Sequence, residues 1–174
     1  DDVAAIADYF APPGFERLEA TSPVLEQAKL DNRSFARWVG RNVSQHVQPG
    51  YGIVTVALKG TGEAPGDATS AQIDVLAKLG ERYSFDELRI SHEQNVILPH
   101  VKLSDLPAVH EALLAAGMAS PNAGLITDII ACPGLDYCAL ATARSIPVAQ
   151  ELSHRFADLD RQNDIGELKV NISG

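Results

Sequence analysis

The order of the elements predicted between residues 51 and 116 constrains the fold more than any other feature of this sequence. The run Tyr51 to Leu58 reads YGIVTVAL, and its β-branched, apolar character predicts a strand that is buried on at least one face. A Gly/Pro-rich loop follows at residues 59–67. Thr69 is then placed to cap a helix that ends near Tyr83. The pattern therefore indicates a strand that is connected by a loop to an amphipathic helix.

The next stretch predicts a hairpin and a second helix. Two short strands, at residues 88–91 and 96–98, flank four polar residues, and this spacing suits a tight connection. Ser104 is the predicted cap of a helix that stops at Gly117. The order strand, helix, strand, strand, helix is most of a ferredoxin-like split βαβ unit, so we expect the α+β class.

The flanking segments are predicted to differ from this unit. Residues 1–48 indicate a helical lead-in or linker, with one helix to Phe10 and another that Ser34 would cap. Residues 49–118 are the expected ferredoxin-like half-domain, and residues 119–174 the start of a second unit. In that second unit we expect a strand at 125–131, a helical stretch to Phe156, a polar loop at 158–166 and a strand at 167–172. The longer part of the helical stretch is expected to start near Pro147, with Ser145 as its cap.

Composition limits the class of protein. An apolar fraction of 45% supports a packed core and argues against disorder over most of the 174 residues. Fourteen basic and 23 acidic side chains give a net charge of −9, which argues against nucleic acid or an anionic membrane as partners. No apolar run approaches the roughly 18 residues of a membrane span. With two cysteines and no basic, apolar leader, we expect a reducing, cytoplasmic compartment and a piece of a longer protein.

The loop Gly60-Thr61-Gly62-Glu63-Ala64-Pro65-Gly66 follows a strand and precedes a helix, as a phosphate-binding loop would. However, its glycine spacing is wrong, Pro65 lacks a backbone donor, and Asp67 would repel an anion. A connecting loop is therefore the preferred interpretation, and a nucleotide-binding domain is the less favoured alternative.

The two cysteines, Cys132 and Cys138, form a C-x5-C pattern at the predicted junction of a strand, a turn and a helix. Thiolates are the usual ligands of iron–sulfur clusters, and a turn of this kind can bring two sulfurs round one centre. From the spacing alone, two idle thiols remain the commoner explanation. A complete four-ligand site would in any case need two further ligands from elsewhere.

The polar hairpin is the remaining candidate from the residues alone. Strand-borne Arg89, Gln94 and Asn95 could hold the carboxylates of a ligand, although a solvated turn that also includes His92 is the simpler explanation. The five histidines show no metal-ligand spacing, and no Ser-His-Asp arrangement can be argued from their order.

Two segments taken together resemble a known family. ELRISHEQNVILPHV, followed by TDIIACPGLDYCALATA, is similar to the C-terminal half of the sirohaem-dependent nitrite/sulfite reductases. The resemblance covers about residues 45–174. It implies that the chain is the ferredoxin-like half-domain followed by the truncated start of a sirohaem- and [4Fe-4S]-binding α/β domain. It also implies that the parent protein reduces sulfite to sulfide or nitrite to ammonia.

The resemblance also implies roles for particular residues. Cys132 and Cys138 match the first two of four [4Fe-4S] ligands, while Gln94 and Ala141 match positions that contact the sirohaem. The second ligand pair would lie beyond Gly174, and no catalytic residue is assigned within this chain. Arg89, His92 and Asn95 receive no firm role.

The partners implied are the missing N-terminal half and the C-terminal remainder of the parent chain, with a ferredoxin or flavoprotein as electron donor. The isolated chain is expected to be inactive, to bind neither cofactor stably, and to be able to dimerise through exposed core faces. The alternative is a stand-alone ferredoxin-like binding or interaction module with incidental cysteines.

Overall fold

The larger sheet contains four antiparallel strands, in a computed structural model that describes residues 2–174. These are β1 (Val43–Gln45), β2 (Tyr51–Val56), β3 (Arg89–Ile90) and β4 (Val96–Lys102). Their spatial order is β1-β2-β4-β3, so the two longest strands form the centre of the sheet. The hairpin predicted around residues 92–95 is confirmed, since β3 pairs antiparallel with β4.

Two helices complete the ferredoxin-like arrangement. Helix α4 (Ser70–Tyr83) begins at the predicted Thr69, whose hydroxyl accepts from the Gln72 backbone N–H while the Gln72 side chain accepts from the Thr69 N–H. This reciprocal capping box explains why the start of this helix was readable from sequence. Helix α5 (Leu106–Ala115) begins after a turn of 3-10 helix at Leu103–Asp105 and ends before Gly117, which has a φ of 72°. The α+β class is therefore as predicted.

The lead-in contains three helices: α1 (Asp2–Tyr9), α2 (Pro23–Asp31) and α3 (Arg33–Asn42). Sequence analysis missed α2, and it placed the cap of α3 at Ser34 where the structure has Asn32. Leu25, Phe35 and Trp38 from α2 and α3 pack into the same core as β2, β4, α4 and α5, and Trp38 is fully buried. Helices α2 and α3 thus contribute to the core of the half-domain, while the proposed division at residue 48 stays a prediction.

The C-terminal stretch forms a smaller layer with its own core. Strand β5 (Ile130–Ala131) pairs in parallel with β6 (Asn171–Ile172), and helices α6 (Ile146–Arg155) and α7 (Leu159–Ile165) lie between them in the chain. Ile129, Ala131 and Ala149 are the buried centre of this layer.

Three expectations for this layer were wrong in their extent. The apolar run 125–131 is a strand only at its last two residues, because turns at 122–128 fold the rest into buried backbone. The run is apolar because it is buried. The predicted loop at 158–166 contains helix α7, which Asp158 caps through two backbone N–H groups. Strand β6 likewise covers only the end of the predicted 167–172 strand. By contrast, helix α6 starts at Ile146, after Ser145 and with Pro147 in its first turn, as predicted.

None of the helices in the described part of the chain is long and apolar enough to cross a membrane. Helix α1 and the residue after it expose several large apolar side chains: Val3, Ile6, Tyr9 and Phe10.

Candidate functional site

The hairpin turn between β3 and β4 presents Gln94 in an unusual backbone conformation. Its φ is 58°, in the left-handed region that non-glycine residues rarely occupy. The turn is closed by Ser91, whose backbone carbonyl accepts from Gln94 N–H and whose hydroxyl accepts from the N–H groups of Glu93 and Asn95. These bonds hold the strained residue in place and direct its side chain towards β5.

The Gln94 side chain forms hydrogen bonds with the edge of β5 that a neighbouring strand would otherwise form. Its Nε2 donates to the Ala131 carbonyl at 2.8 Å, and its Oε1 accepts from the Ala131 N–H at 3.1 Å. The neighbouring backbone groups of β5 point the other way and bond β6. One amide side chain therefore satisfies an edge that would otherwise leave a donor and an acceptor unpaired.

Cys132 follows directly after this paired residue. Its N–H donates to the Ile172 carbonyl, while its Sγ lies 3.1 Å from the Gly174 backbone nitrogen and 3.3 Å from the Ser145 hydroxyl. The Ser145 hydroxyl bond, followed by the Gly174 N–H bond, lowers the pKa of the Cys132 thiol below its ordinary value of 9.0. These hydrogen bonds to the Cys132 sulfur thus favour its thiolate form, which is the form that ligates metals.

Cys138 lies beyond a tight turn that Gly134 makes possible. Gly134 has a φ of 58°, and a Cβ there would stand 2.6 Å from the Ala143 carbonyl oxygen. The Cys138 N–H donates to the Gly134 carbonyl at 2.8 Å, and both cysteines are free and half-buried. The turn carries exposed apolar side chains at Leu135, Tyr137 and Leu140, with Ala141 half-buried beside them.

Lys59, which sequence analysis did not single out, is buried where the hairpin meets the C-terminal layer. Its Nζ donates to the Glu93 carbonyl at 2.7 Å and to the Ile129 carbonyl at 2.9 Å. Asp128 Oδ1 lies 3.9 Å from the same ammonium. Burial lowers the pKa of Lys59, while the Asp128 and Glu93 carboxylates act in the opposite direction. The only sequence signal was a lysine that ends a buried apolar strand.

Asp128 and Asn95 extend this buried network. Asn95 Nδ2 donates to Asp128 Oδ1 at 3.0 Å, and Asn95 Oδ1 accepts from the Leu58 N–H. The second Asp128 oxygen accepts from the Gly124 N–H at 2.9 Å. Asn95, which had no assigned role, therefore ties the hairpin to the end of β2 and to the segment before β5.

Arg89 and His92 are engaged elsewhere. His92 is exposed and contacts the Glu93 carboxylate, whereas Arg89 Nε donates to Glu87 at 2.6 Å. Arg89 lines a cleft of about 590 Å³ that also includes His46 and His100, rather than the surface formed by Gln94 and Cys132. The residues of the motif thus divide between two regions of the molecule.

A directional chain of hydrogen bonds runs through this second cleft. The Gln48 N–H donates to His46 Nδ1, so in its neutral form His46 carries its proton on Nε2 and donates to His100 Nδ1 at 3.0 Å. His100 Nε2 then donates to Glu87 at 3.1 Å. The Phe15 ring lies against both imidazoles, with centroid distances of 5.3 Å.

The loop at residues 60–66 is held by helix α6. The Gly62 N–H donates to Ser153, and Gln150 donates to the Gly62 carbonyl. The capping box occupies donors at the start of α4 that a phosphate would need. The structure thus favours a connecting loop.

The chain contains two side chains of the thiol class that ligates iron–sulfur clusters, Cys132 and Cys138. Across residues 2–174, no group of three or more His, Cys, Asp or Glu side chains is arranged to hold a metal ion. Cys132 has the hydrogen-bonded thiol that a cluster ligand needs, and Cys138 lies on the same short turn. This chain can therefore offer two sulfur ligands at most.

Comparison with known proteins gives concordant findings. Residues 45–116 match the family model described as the nitrite/sulfite reductase ferredoxin-like half domain. A chloroplastic ferredoxin–nitrite reductase from Zea mays is 34% identical over 142 residues, which are 77% of this chain and 24% of that protein. Sulfite reductase [ferredoxin] 2 from Mycolicibacterium paratuberculosis is 28% identical over 67% of this chain and 22% of its own length.

The solved structure of the Mycobacterium tuberculosis NirA protein matches with a TM-score of 0.59 and 26% identity. The match covers 76% of this chain and 24% of that one. The chain thus spans about a quarter of the relatives that it matches.

Proposed function

Since this chain carries the ferredoxin-like half domain of the nitrite/sulfite reductases over residues 45–116, we propose that it works as part of a reductase acting on nitrite or sulfite. The parent protein is an oxidoreductase, and the finer proposal is six-electron reduction of sulfite to sulfide or of nitrite to ammonia. The observation that carries this proposal is the hydrogen-bonded Cys132 thiol on one short turn with Cys138, beside the Gln94 hairpin.

Cys132 and Cys138 are proposed as two of the four ligands of a [4Fe-4S] cluster that is coupled to a sirohaem. When bound, this cofactor pair supplies the electrons. The N–H of Gly174 would stabilise the negative charge on the Cys132 sulfur, while the Ser145 hydroxyl donates to the Cys132 carbonyl beside it. The exposed Leu135, Tyr137 and Leu140 would be covered in the complete protein.

The proposed roles of Gln94 and Ala141 differ in their support. The Gln94 amide bonds both backbone groups of Ala131, which precedes Cys132. We therefore propose that its main role is to order the turn that carries the two cysteines, and that any contact with the sirohaem is secondary. Ala141 has no side chain beyond Cβ and would leave room for a large planar group. The basic groups that bind an anionic substrate and deliver protons are proposed to come from other parts of the parent chain.

The electron donor is proposed to be a ferredoxin, since the relatives from Zea mays and Mycolicibacterium paratuberculosis both carry ferredoxin in their names. Two free cysteines suit a reducing compartment, and we propose the cytoplasm. The isolated chain is proposed to be inactive, because two ligands cannot hold a four-ligand cluster.

Cysteine variants of the complete reductase test this proposal. Cys132→Ser and Cys138→Ser should each lose most of the iron and acid-labile sulfide, together with reduction of both nitrite and sulfite by ferredoxin. Glu151→Ala is the matched control, because Glu151 is exposed on α6 and pairs only with Arg155. A full iron content in both cysteine variants would support the stand-alone interaction module instead.

A further inference from the structure

We propose that Lys59 is a positioning residue for the candidate cluster turn, which is the turn that carries Cys132 and Cys138. Its buried ammonium fastens the Gln94 hairpin, through hydrogen bonds, to the segment that leads into Cys132. The inference deepens the proposed function and rests on it only for the identity of Cys132 as a ligand. The fastening itself is a property of this chain.

Lys59 joins two segments that are distant in sequence. One ammonium donates to the carbonyls of Glu93 in the hairpin and of Ile129 in the C-terminal layer, at 2.7 and 2.9 Å. Its own backbone carbonyl accepts from Asn122 Nδ2 at 3.2 Å. The side chain of Lys59 is 1% exposed, so these bonds do not compete with water.

The two carbonyls that Lys59 binds belong to residues that lie close in sequence to Gln94 and Cys132. Glu93 precedes Gln94, and Ile129 lies two residues before Ala131, which is the residue that Gln94 pairs. Cys132 follows Ala131 and bonds Ile172 through its N–H. Movement of either carbonyl away from Lys59 would therefore separate the Gln94 amide from β5 and displace the Cys132 sulfur from its donors.

Burial of a lysine at this position has a cost in free energy. A buried ammonium loses its hydration, and the Asp128 carboxylate, at 3.9 Å, together with the Glu93 carboxylate offsets this loss only in part. An apolar residue could fill the space without this penalty but could not bond two carbonyls. The geometry points to the two bonds as the reason for a lysine at this position.

Amide hydrogen exchange in this chain tests the fastening. In Lys59→Met, the N–H groups of Ala131 and Cys132 should exchange at least about tenfold faster, the factor expected for loss of one charge-assisted hydrogen bond. Protection in the central β2 and β4 strands should stay within twofold or so of the parent chain. Lys169→Met is the matched control, because the exposed Lys169 side chain pairs with the half-buried Glu93 carboxylate rather than with a backbone carbonyl, and its loss should leave the two amides unchanged.

A uniform loss of protection across β2, β4 and β5 would show a merely structural lysine and overturn the proposal, as would unchanged exchange at Ala131 and Cys132. If Lys59→Met fails to fold, Gln94→Asn provides the second variant. Asparagine tolerates the left-handed backbone but is too short to reach both Ala131 groups, so it should accelerate the same two amides. Unchanged exchange at Ala131 and Cys132 in that variant would also overturn the proposal.

The complete reductase gives the test of ligand positioning. Lys59→Met should retain iron but shift the electron paramagnetic resonance signature or midpoint potential of its cluster, whereas Lys169→Met should not. An unaltered signature and potential would refute the positioning role at the cluster. Should the parent reductase contain no cluster, the proposed function fails, while the exchange result still decides the fastening.

Discussion

Replacement of Asp128 by alanine should test how much the buried network contributes to stability. Asp128 accepts from the Gly124 N–H at 2.9 Å and from Asn95 Nδ2 at 3.0 Å, and it lies 3.9 Å from the Lys59 ammonium. Its side chain is 7% exposed, so water cannot replace these partners. Asp128→Ala would therefore leave two donors unpaired and remove the carboxylate that lies 3.9 Å from the buried Lys59 ammonium.

The magnitude follows from those three losses. Breaking a buried pair by removal of one partner costs about 3–5 kcal/mol, and this range already includes much of the value of the accompanying hydrogen bonds. Deprotonation of Lys59 limits the cost, because a neutral amine needs no counter-charge. We therefore expect a loss of about 4 kcal/mol, against a total stability of roughly 5–15 kcal/mol. Asp128→Asn keeps one acceptor and should lose about 2–3 kcal/mol.

Urea denaturation followed by tryptophan fluorescence and by circular dichroism measures this loss. Trp38 is the single tryptophan and is fully buried, so its emission reports the half-domain core. With a slope of about 2 kcal/mol per molar urea, the midpoint for Asp128→Ala should fall by about 2 M. Asp160→Ala removes an exposed carboxylate that pairs with Arg37, and should change stability by less than about 1 kcal/mol. A midpoint for Asp128→Ala as close to the parent as that of the control would refute the reasoning.

Three further outcomes are expected. Burial lowers the pKa of His100 below 6.5, so the unfolded chain binds this proton more tightly than the folded chain does. The free energy of unfolding should therefore fall as the pH drops below 6.5. Denaturation measured at each pH should show a shallower fall in His100→Asn. The lowered pKa of Lys59 has the same effect at higher pH, because the unfolded chain again binds the proton more tightly. The free energy of unfolding should therefore rise as the pH increases towards 10.5. This rise should be seen in the parent chain and be absent from Lys59→Met. Phe15→Ala removes the ring packed against His46, His100, Tyr51 and Phe85, so limited proteolysis should cut residues 11–18 faster while Trp38 fluorescence stays native; an unchanged cleavage rate would contradict this role.

The half-domain was readable from sequence because its signals are local. Thr69 and Gln72 form their capping box within one turn, and the β-branched run at 51–56 is a strand in any context that buries it. The C-terminal layer was read less well because burial, not backbone pairing, makes residues 125–129 apolar. Its α7 helix depends on Asp158 as a cap and on Gln162 as a buried side chain that bonds Thr127 and Phe156.

The candidate site divides in the same way. The thiol pair and the hairpin could be proposed from motif order, since cysteines and a polar turn are visible along the chain. Lys59 and Asp128 could not be proposed in this way, because the role of each depends on contacts with residues that are far away in sequence. Arg89 shares a motif with Gln94 yet points to another cleft, which a linear pattern cannot reveal.

Gln94 meets two demands that proteins normally assign to different amino acids. Its backbone geometry favours glycine or asparagine, whereas its reach to both sides of one peptide unit requires the longer amide. Glycine would relieve the strained φ angle but would leave both backbone groups of Ala131 unpaired. Glutamate would keep the length of the side chain but would place a negative charge against the Ala131 carbonyl. Saturation mutagenesis at this codon should consequently return a nearly empty set of acceptable replacements, a tolerance profile narrower than that of most core positions.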